Sequence, residues 1–175
     1  MKNHTLSEVI DAFDLFYRSI HNRSFRKNLH INTFNERQLS PLLRTFLLGY
    51  FGDSLTPEYR SKLPGSLSGY GSIDFKVGNI AIEFAVRQAD QSRSQLSHHA
   101  QVTEIKKLMK HDGLSLLTLF DFSRRPFSEA QLERFREWPS LGKGNYKKSA
   151  FNVVYFFREN SRVSSIRQIR KNIRV

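Results

Sequence analysis

Four segments of the chain place apolar residues at the three- or four-residue spacing of an amphipathic helix. Helices are therefore predicted over residues 5–20, about 34–51, about 95–110, and from Ser128 to about Trp138. Capping boxes support the first and last of these starts, because Thr5 is followed by Glu8 and Ser128 is followed by Gln131. The pattern thus predicts helices from the beginning of the chain to its last third.

The start of the second helix is open between two alternatives. Thr33 with Glu36 forms a possible capping box, whereas Ser40 followed by Pro41 is a good pair for the N-cap and first helical positions. Beyond this helix, residues 52–68 are rich in Gly, Pro and Ser and are predicted to form a long connection.

Residues 69–88 carry the pattern of a β-hairpin. Two runs of alternating character flank Gly78-Asn79, and a glycine at the first central position suits a type II′ turn. With the turn there, Val77 faces Ile80 and Asp74 lies directly opposite Glu83. Directly opposed residues have Cβ atoms roughly 5 Å apart. The hairpin is therefore predicted to hold two carboxylates side by side.

Side chains alternate along a strand, so each face of this hairpin has its own composition. One face carries Ser72, Asp74, Lys76, Ala81, Glu83, Ala85 and Arg87, and the other, predicted as core, carries Ile73, Phe75, Val77, Ile80, Ile82, Phe84 and Val86. Opposed like charges are destabilising unless a divalent cation, or pairing with Lys76 and Arg87 on an exposed hairpin, offsets them. The metal interpretation is favoured because Glu83 interrupts an otherwise apolar run.

Two short, almost wholly apolar runs, residues 114–122 and 151–157, are predicted as strands buried on both faces. Asp121 closes the first of these strands and is assigned to a turn or cap. Together with the hairpin, the two strands predict an α/β fold with a mixed central sheet flanked by helices.

The composition is that of one folded domain. The chain has 175 residues, 39% of them hydrophobic, with 15 Phe and no Cys, so disulfides and thiolate metal sites are excluded. The domain is placed at residues 1–160, followed by a basic segment at 161–175. Neither an apolar signal region nor a membrane-length run is present, and a cytoplasmic protein is expected.

Lys and Arg number 28 against 16 Asp and Glu, for a net charge of +12 and a pI near 10.2. Such a charge favours a nucleic-acid partner, DNA more than RNA, over the competing anionic membrane surface. Residues 161–175 are predicted either as a basic amphipathic helix or as a disordered tail. The candidate phosphate contacts are Arg93, Gln95, Lys143, Lys147, Lys148, Arg167, Arg170 and Lys171.

The order helix, hairpin, helix, strand, helix, strand, with IDF at residues 73–75 and AIEFA at 81–85, resembles the PD-(D/E)XK, or restriction-endonuclease-like, nuclease superfamily. The resemblance covers roughly residues 33–158. It implies a mixed sheet flanked by helices, with Asp74 and Glu83 binding Mg²⁺ or Mn²⁺. A further helical Glu in that family corresponds to Glu36.

The family lysine, two residues after the Glu, corresponds to Ala85 in this chain. Lys76 or Arg87 on the same hairpin face, or Lys106 or Lys107 on the next helix, would have to replace it. The resemblance implies metal-dependent phosphodiester hydrolysis of DNA, alone, as a homodimer or in a larger assembly. Two alternatives remain open. One is a catalytically silent module that binds nucleic acid or serves a larger defence, repair or transposition complex, and the other is a protein-interaction domain.

Overall fold

The computed structural model describes residues 3–62, 70–97, 99–136, 150–160 and 162–173. In these residues a single six-stranded sheet runs β1-β2-β3-β4-β5-β6, in the order of the chain. Strands β3, β4 and β5 are parallel to one another, and the other neighbours are antiparallel. The strands are β1 (Leu55–Lys62), β2 (Tyr70–Val77), β3 (Ile80–Arg87), β4 (Leu114–Asp121), β5 (Phe151–Arg158) and β6 (Ile166–Ile173).

Helices cover both faces of this sheet, and each side has its own apolar core. One core packs α1 and α3 on the sheet, and the other packs α4 and α5 on the opposite face. The helices are α1 (Leu6–Ile20), α2 (Arg23–Asn28), α3 (Glu36–Phe51), α4 (Val102–Lys110) and α5 (Glu129–Glu133). The predicted α/β class, a mixed sheet flanked by helices, is confirmed.

Both long N-terminal helices begin at a capping box, but only one of these boxes is the predicted one. The box at Thr5 and Glu8 opens α1 as predicted. For α3 both predicted starts are wrong, because Asn35 is the N-cap and exchanges hydrogen bonds of 3.0 Å with Gln38. Pro41 lies inside α3, where its missing N–H costs one helical hydrogen bond.

Strand β1 lies in the segment that the sequence predicts as a connection, so that prediction is wrong for residues 55–62. The strand pairs with β2 from Leu55↔Val77 to Lys62↔Tyr70 and forms one edge of the sheet. Pro57 is tolerated there because an edge strand has ladder positions that need no N–H donor. Residues 63–69 lie outside the described ranges.

The predicted third and fourth helices are shorter than expected. A 3₁₀ turn occupies Arg93–Leu96, and α4 begins only at Val102. The box at Ser128 and Gln131 opens α5 as predicted, but this helix ends at Glu133 and is followed by a 3₁₀ turn. The predicted end near Trp138 lies outside the described residues.

Within the basic segment at residues 161–175, Ile166–Ile173 form strand β6, so the prediction of a helix or a disordered tail is wrong for these residues. The spacing of Ile166, Ile169 and Ile173 fits a helical face, but it also fits a strand buried on both sides. Ile166 and Ile169 are three residues apart, an odd number, so their side chains lie on opposite faces of a strand. Ile166 packs in one core, and Ile169 and Ile173 pack in the other. Residues 166–173 therefore complete the sheet beside β5.

Candidate active site

The hairpin turn is where the sequence places it. Val77 pairs with Ile80, Lys76 with Ala81 and Phe75 with Ile82. Gly78 has a positive φ of +56° and Asn79 has a negative φ, which is the combination that a type II′ turn requires. This register brings Asp74 and Glu83 to the same level of the two strands.

Regular alternation ends at Asp74. Ile73 packs in the core under α4, whereas Phe75 packs in the core under α1 and α3, so the prediction that both share one face is wrong. On the neighbouring strand Glu58 has φ +49°, a conformation that a non-glycine residue rarely adopts. The β1–β2 pair thus bends next to Asp74, and the Asp74 side chain accepts a hydrogen bond of 3.1 Å from the Phe84 N–H.

Glu83 is the buried member of the acidic pair. Its side chain is 1% exposed and lies close enough to Asp74 for the charge of that carboxylate to raise its pKa. Lys107, from the middle of α4, donates a hydrogen bond of 2.9 Å from Nζ to Glu83 Oε1. Three functional side chains from β2, β3 and α4 therefore meet at one point on the sheet.

The surroundings of Glu83 favour its protonated form. Loss of hydration, then the charge of Asp74, raises the pKa of Glu83 to about 9, and Lys107 only partly opposes this. Partial burial acts to lower the pKa of Lys107, but the surrounding carboxylates outweigh it and raise this pKa, so the lysine is cationic. Two neighbouring carboxylates, one of them with a raised pKa, form a site that a metal ion can occupy once the proton on Glu83 leaves.

Glu36 stands at the first turn of α3, close to this pair. Loss of hydration, with the negative charges of Asp74 and Glu104, raises its pKa to about 7 although its side chain is open to solvent. A cavity of about 360 Å³ connects Glu36 to Asp74 and Glu58, and Arg37 and Arg44 also line it. The helical Glu expected from the sequence thus lies beside the acidic pair.

The two predicted substitutes for the lysine on the hairpin lie elsewhere. Lys76 places its Nζ 4.2 Å from the centre of the Tyr59 ring, a cation–π contact. Arg87 is wholly buried at the end of β3, where its Nε donates to Asp121 Oδ1 at 2.9 Å. Arg87 is therefore a structural ion-pair partner, and Lys107 is the cation at the acids.

The Arg87–Asp121 pair also refines the expectation for Asp121. Its carboxylate accepts a hydrogen bond of 2.8 Å from the Ser123 N–H, as a turn-forming Asp does, and another from the Tyr155 hydroxyl. Its backbone oxygen accepts from Tyr17 at 2.6 Å. Asp121 thus links the loop after β4 to α1 through Tyr17 and to β5 through Tyr155.

Most predicted phosphate contacts on β6 are engaged within the protein. Arg167 pairs with Glu159 at 3.2 Å and Arg170 with Asp11 at 3.0 Å. Lys171 pairs with Glu133 and Glu129 on α5 at 2.8 and 3.3 Å. Gln95 is exposed on the 3₁₀ turn that also holds Arg93, whereas Lys143, Lys147 and Lys148 lie outside the described residues.

The donor set fits a hard divalent cation. Within the described ranges, no three histidine or carboxylate side chains converge closely enough to hold a metal by themselves. Mg²⁺ nevertheless uses only one or two carboxylates and takes its other ligands from water and substrate phosphate. Asp74 and Glu83 could supply two oxygen ligands of that kind, and the cavity at Glu36 leaves room beside Asp74.

Compared with protein-family models, curated proteins and solved structures, the chain matches none. Among the described helices, none is both long and apolar enough to cross a membrane.

Proposed function

We propose that the protein is a metal-dependent nuclease of the PD-(D/E)XK type that hydrolyses phosphodiester bonds in DNA. The observation that carries the proposal is the meeting of Asp74, Glu83 and Lys107 at a buried point of the sheet. Glu36 on the preceding helix adds the fourth group that this family combines. Acids from adjacent strands of a mixed sheet flanked by helices support the same assignment.

Asp74 and Glu83 would hold Mg²⁺ or Mn²⁺, with Glu36 beside them. The bound ion would supply Lewis-acid stabilisation of the phosphate and a lowered pKa for the attacking water. Binding requires both carboxylates to be ionised, so it competes with the proton that raises the pKa of Glu83. The burial of Glu83 is thus a cost that the ion offsets when it binds.

Lys107 takes the place of the family lysine, whose position is occupied by Ala85 in this chain. Its ammonium reaches the acids from α4, while the small Ala85 is buried in the core beneath that helix. A cation on Glu83 orients this carboxylate and places a positive charge next to the reacting phosphate. Lys106, the neighbouring residue of α4, serves as an internal comparison because no hydrogen bond or ion pair among the described residues involves its side chain.

Cleavage assays with purified protein test the proposal. Plasmid and linear DNA should be cut in the presence of Mg²⁺ or Mn²⁺, and Asp74→Asn or Glu83→Gln should remove at least about 99% of the rate, on the order of the losses that charge-stabilising groups cause. Asp53→Asn, on an exposed residue after α3, is the matched control and should cut like the wild type.

A catalytically silent module that binds nucleic acid is the second candidate, favoured by Ala85. That hypothesis predicts binding without cleavage on duplex DNA, single-stranded DNA and RNA with either metal. Such a result would refute the nuclease proposal, whereas cleavage that Asp74→Asn abolishes would refute the silent module.

A further inference from the structure

The three parallel strands end at one edge of the sheet in charged residues. Arg87 ends β3, Asp121 ends β4 and Arg158 ends β5. Two adjoining cavities of about 600 and 400 Å³ open there and share Ala89, Ser123 and Arg124. Their cationic and hydroxyl lining, here called the carboxyl-edge cleft, consists of Arg26, Arg87, Ser123, Arg124, Arg125 and Arg158. Ligands of open α/β sheets bind outside the carboxyl ends of parallel strands, which is the position of this cleft.

A buried, incompletely paired guanidinium lines the cleft. Arg87 is 0% exposed, and its Nε and Nη2 donate to Asp121, Ser123 and the backbone oxygen of Arg125. Its Nη1, by contrast, has no hydrogen-bond partner among the described residues. A buried donor without a partner is destabilising, because it has lost its hydration without gaining a hydrogen bond. Arg87 therefore brings a buried guanidinium with one unpaired nitrogen to the lining of the cleft.

The charge of the cleft is positive after its internal pairs are counted. Asp121 is neutralised by Arg87, and Glu159 by Arg167 at 3.2 Å. Asp90 is the remaining acid in the described lining. Against this single acid the lining carries Arg26, Arg124 and Arg125.

Two features of these arginines favour an anion. Burial, then the positive charge of Arg26, lowers the pKa of Arg158, so the two guanidinium groups repel each other across the cleft. Arg124 and Arg125 are exposed, and no ion pair among the described residues involves either side chain. An anion between these groups would relieve the repulsion and engage the exposed pair.

The loop that carries the exposed arginines is held in place by Arg87. The Ser123 N–H donates to Asp121 at 2.8 Å, and the Arg125 N–H donates to Ser123 Oγ at 3.2 Å. Arg87 Nη2 also donates hydrogen bonds to Ser123 Oγ and to the Arg125 backbone oxygen. Arg124 is thus presented from a fixed loop, so less conformational entropy is lost when it binds a ligand.

We propose that the carboxyl-edge cleft binds phosphate groups of a nucleic-acid strand, at a site separate from the Asp74–Glu83 pair. Guanidinium groups match phosphate oxygens in geometry as well as in charge. Glu83 and Arg87 are four residues apart on β3, or about 13 Å, which corresponds to about four base pairs along the axis of duplex DNA. The choice of nucleic acid over a free nucleotide rests on the proposed function.

Fluorescence anisotropy with a labelled oligonucleotide in EDTA tests this site, because binding is then read without cleavage. Arg124→Gln should weaken binding about tenfold and reduce the slope of log affinity against log salt by about one, as expected for one lost phosphate contact. Arg134→Gln, on an exposed arginine after α5, is the matched control and should change affinity less than about twofold. The double variant Arg124→Gln/Arg125→Gln should bind more weakly than either single variant.

Equal affinities of wild type and the double variant would overturn the proposal. Adenosine monophosphate as competitor distinguishes the two sources of phosphate, and it should displace the oligonucleotide only at millimolar concentration. Displacement at micromolar concentration would assign the cleft to free nucleotides and would also overturn the proposal. If the protein never cuts DNA but binds it through Arg124, the nuclease proposal fails and the cleft stands. If it cuts DNA while the double variant binds like the wild type, only the cleft fails.

Discussion

Lys107 and Glu83 show how one ion pair links two elements that the sequence separates by 24 positions. Glu83 is buried in an apolar strand, and Lys107 approaches it at 2.9 Å from α4. The neighbouring Lys106 has the same charge but a different direction on the helix, since successive helical residues do not share a face. The helical face on which each lysine of α4 lies therefore decides that Lys107, and not Lys106, contacts Glu83.

The Lys107→Gln variant tests this assignment. We expect the rate of DNA cleavage to fall about 10²–10³-fold, because the variant keeps a polar side chain but removes the charge next to the phosphate. Lys106→Gln should stay within about threefold of wild type, since the loss of a charge away from the reacting phosphate affects only screened, long-range electrostatics. Equal losses in the two variants would contradict a specific role for Lys107.

His21, at the end of α1, is a residue whose protonation opposes folding. It is 1% exposed, its Nδ1 lies 2.7 Å from the Tyr17 backbone oxygen, and its Nε2 has no partner among the described residues. Burial lowers its pKa from 6.5 to about 4, although the hydrogen bond to Tyr17 opposes this shift. The neutral ring is therefore the form that the folded state accommodates.

Acid should destabilise the protein through this residue. Because the folded-state pKa is lower than the unfolded one, the contribution is fully present above about pH 6.5 and is lost as the pH falls toward 4. The difference amounts to about 3 kcal/mol at about 1.36 kcal/mol per pKa unit. Urea unfolding from pH 7 to 4 should show a shallower decline for His21→Phe than for wild type. A matched substitution at exposed His30 should leave the decline unchanged, and an equal slope in His21→Phe would contradict the prediction.

At the scale of elements, the sequence predicts what depends on short-range rules. The turn at Gly78-Asn79, the buried strands β4 and β5, and the capping boxes of α1 and α5 follow from spacing and from residues with special backbone roles. The proximity of Asp74 to Glu83 follows from the register that this turn sets, although the β2–β3 ladder itself ends at Phe75↔Ile82.

The elements that the sequence does not predict depend on tertiary context. Strand β1 contains Pro57 and polar residues that are typical of a loop until β2 provides a pairing partner. For β6, the isoleucine spacing suits a helix as well as a strand, and only the open edge of β5 decides between them. The break in alternation at Asp74 arises opposite Glu58, where no residue of the sequence signals a positive φ.

A pair of glycine substitutions tests the hairpin turn. Gly78 has φ +56° and Gly49 lies in α3, and at both residues the position that a Cβ would occupy is open, with no neighbouring atom within 4 Å. Gly78→Ala should lower the free energy of unfolding by about 1–2 kcal/mol through backbone strain. Gly49→Ala should raise it by about 0.5–1 kcal/mol, because alanine is the better helix former. If thermal unfolding showed that both substitutions change the free energy of unfolding in the same direction, the result would argue against the turn geometry.

For the whole molecule, charge and architecture are connected through the C-terminal strand. The net charge of +12 suggests a basic tail that grips nucleic acid, yet residues 166–173 belong to the sheet, and Arg170 and Lys171 pair with acids on α1 and α5. Ion pairs at the surface contribute little to stability, typically under about 1 kcal/mol each, but they reduce the charge available to a ligand. The exposed Arg124 and Arg125 of the carboxyl-edge cleft are thus better candidates for phosphate contact than the cations of β6.

A truncation distinguishes a tail from a structural strand. A chain ending at residue 160 should lose cooperative unfolding, because it exposes the edge of β5 and removes the buried Ile166 and Ile173. A chain ending at Ile173 retains β6 and should unfold like the full-length protein. A cooperative transition in the shorter chain, monitored by circular dichroism, would show that β6 is dispensable to the fold.

Calorimetric titration of Mn²⁺ tests the metal site most directly. If Asp74 and Glu83 hold the ion together, the wild type should bind one Mn²⁺ and release about one proton at pH 7, detected as an enthalpy that varies with the ionisation heat of the buffer. Asp74→Asn should abolish this binding, while Asp53→Asn should preserve it. Absence of binding by the wild type, or unchanged binding by Asp74→Asn, would contradict the account.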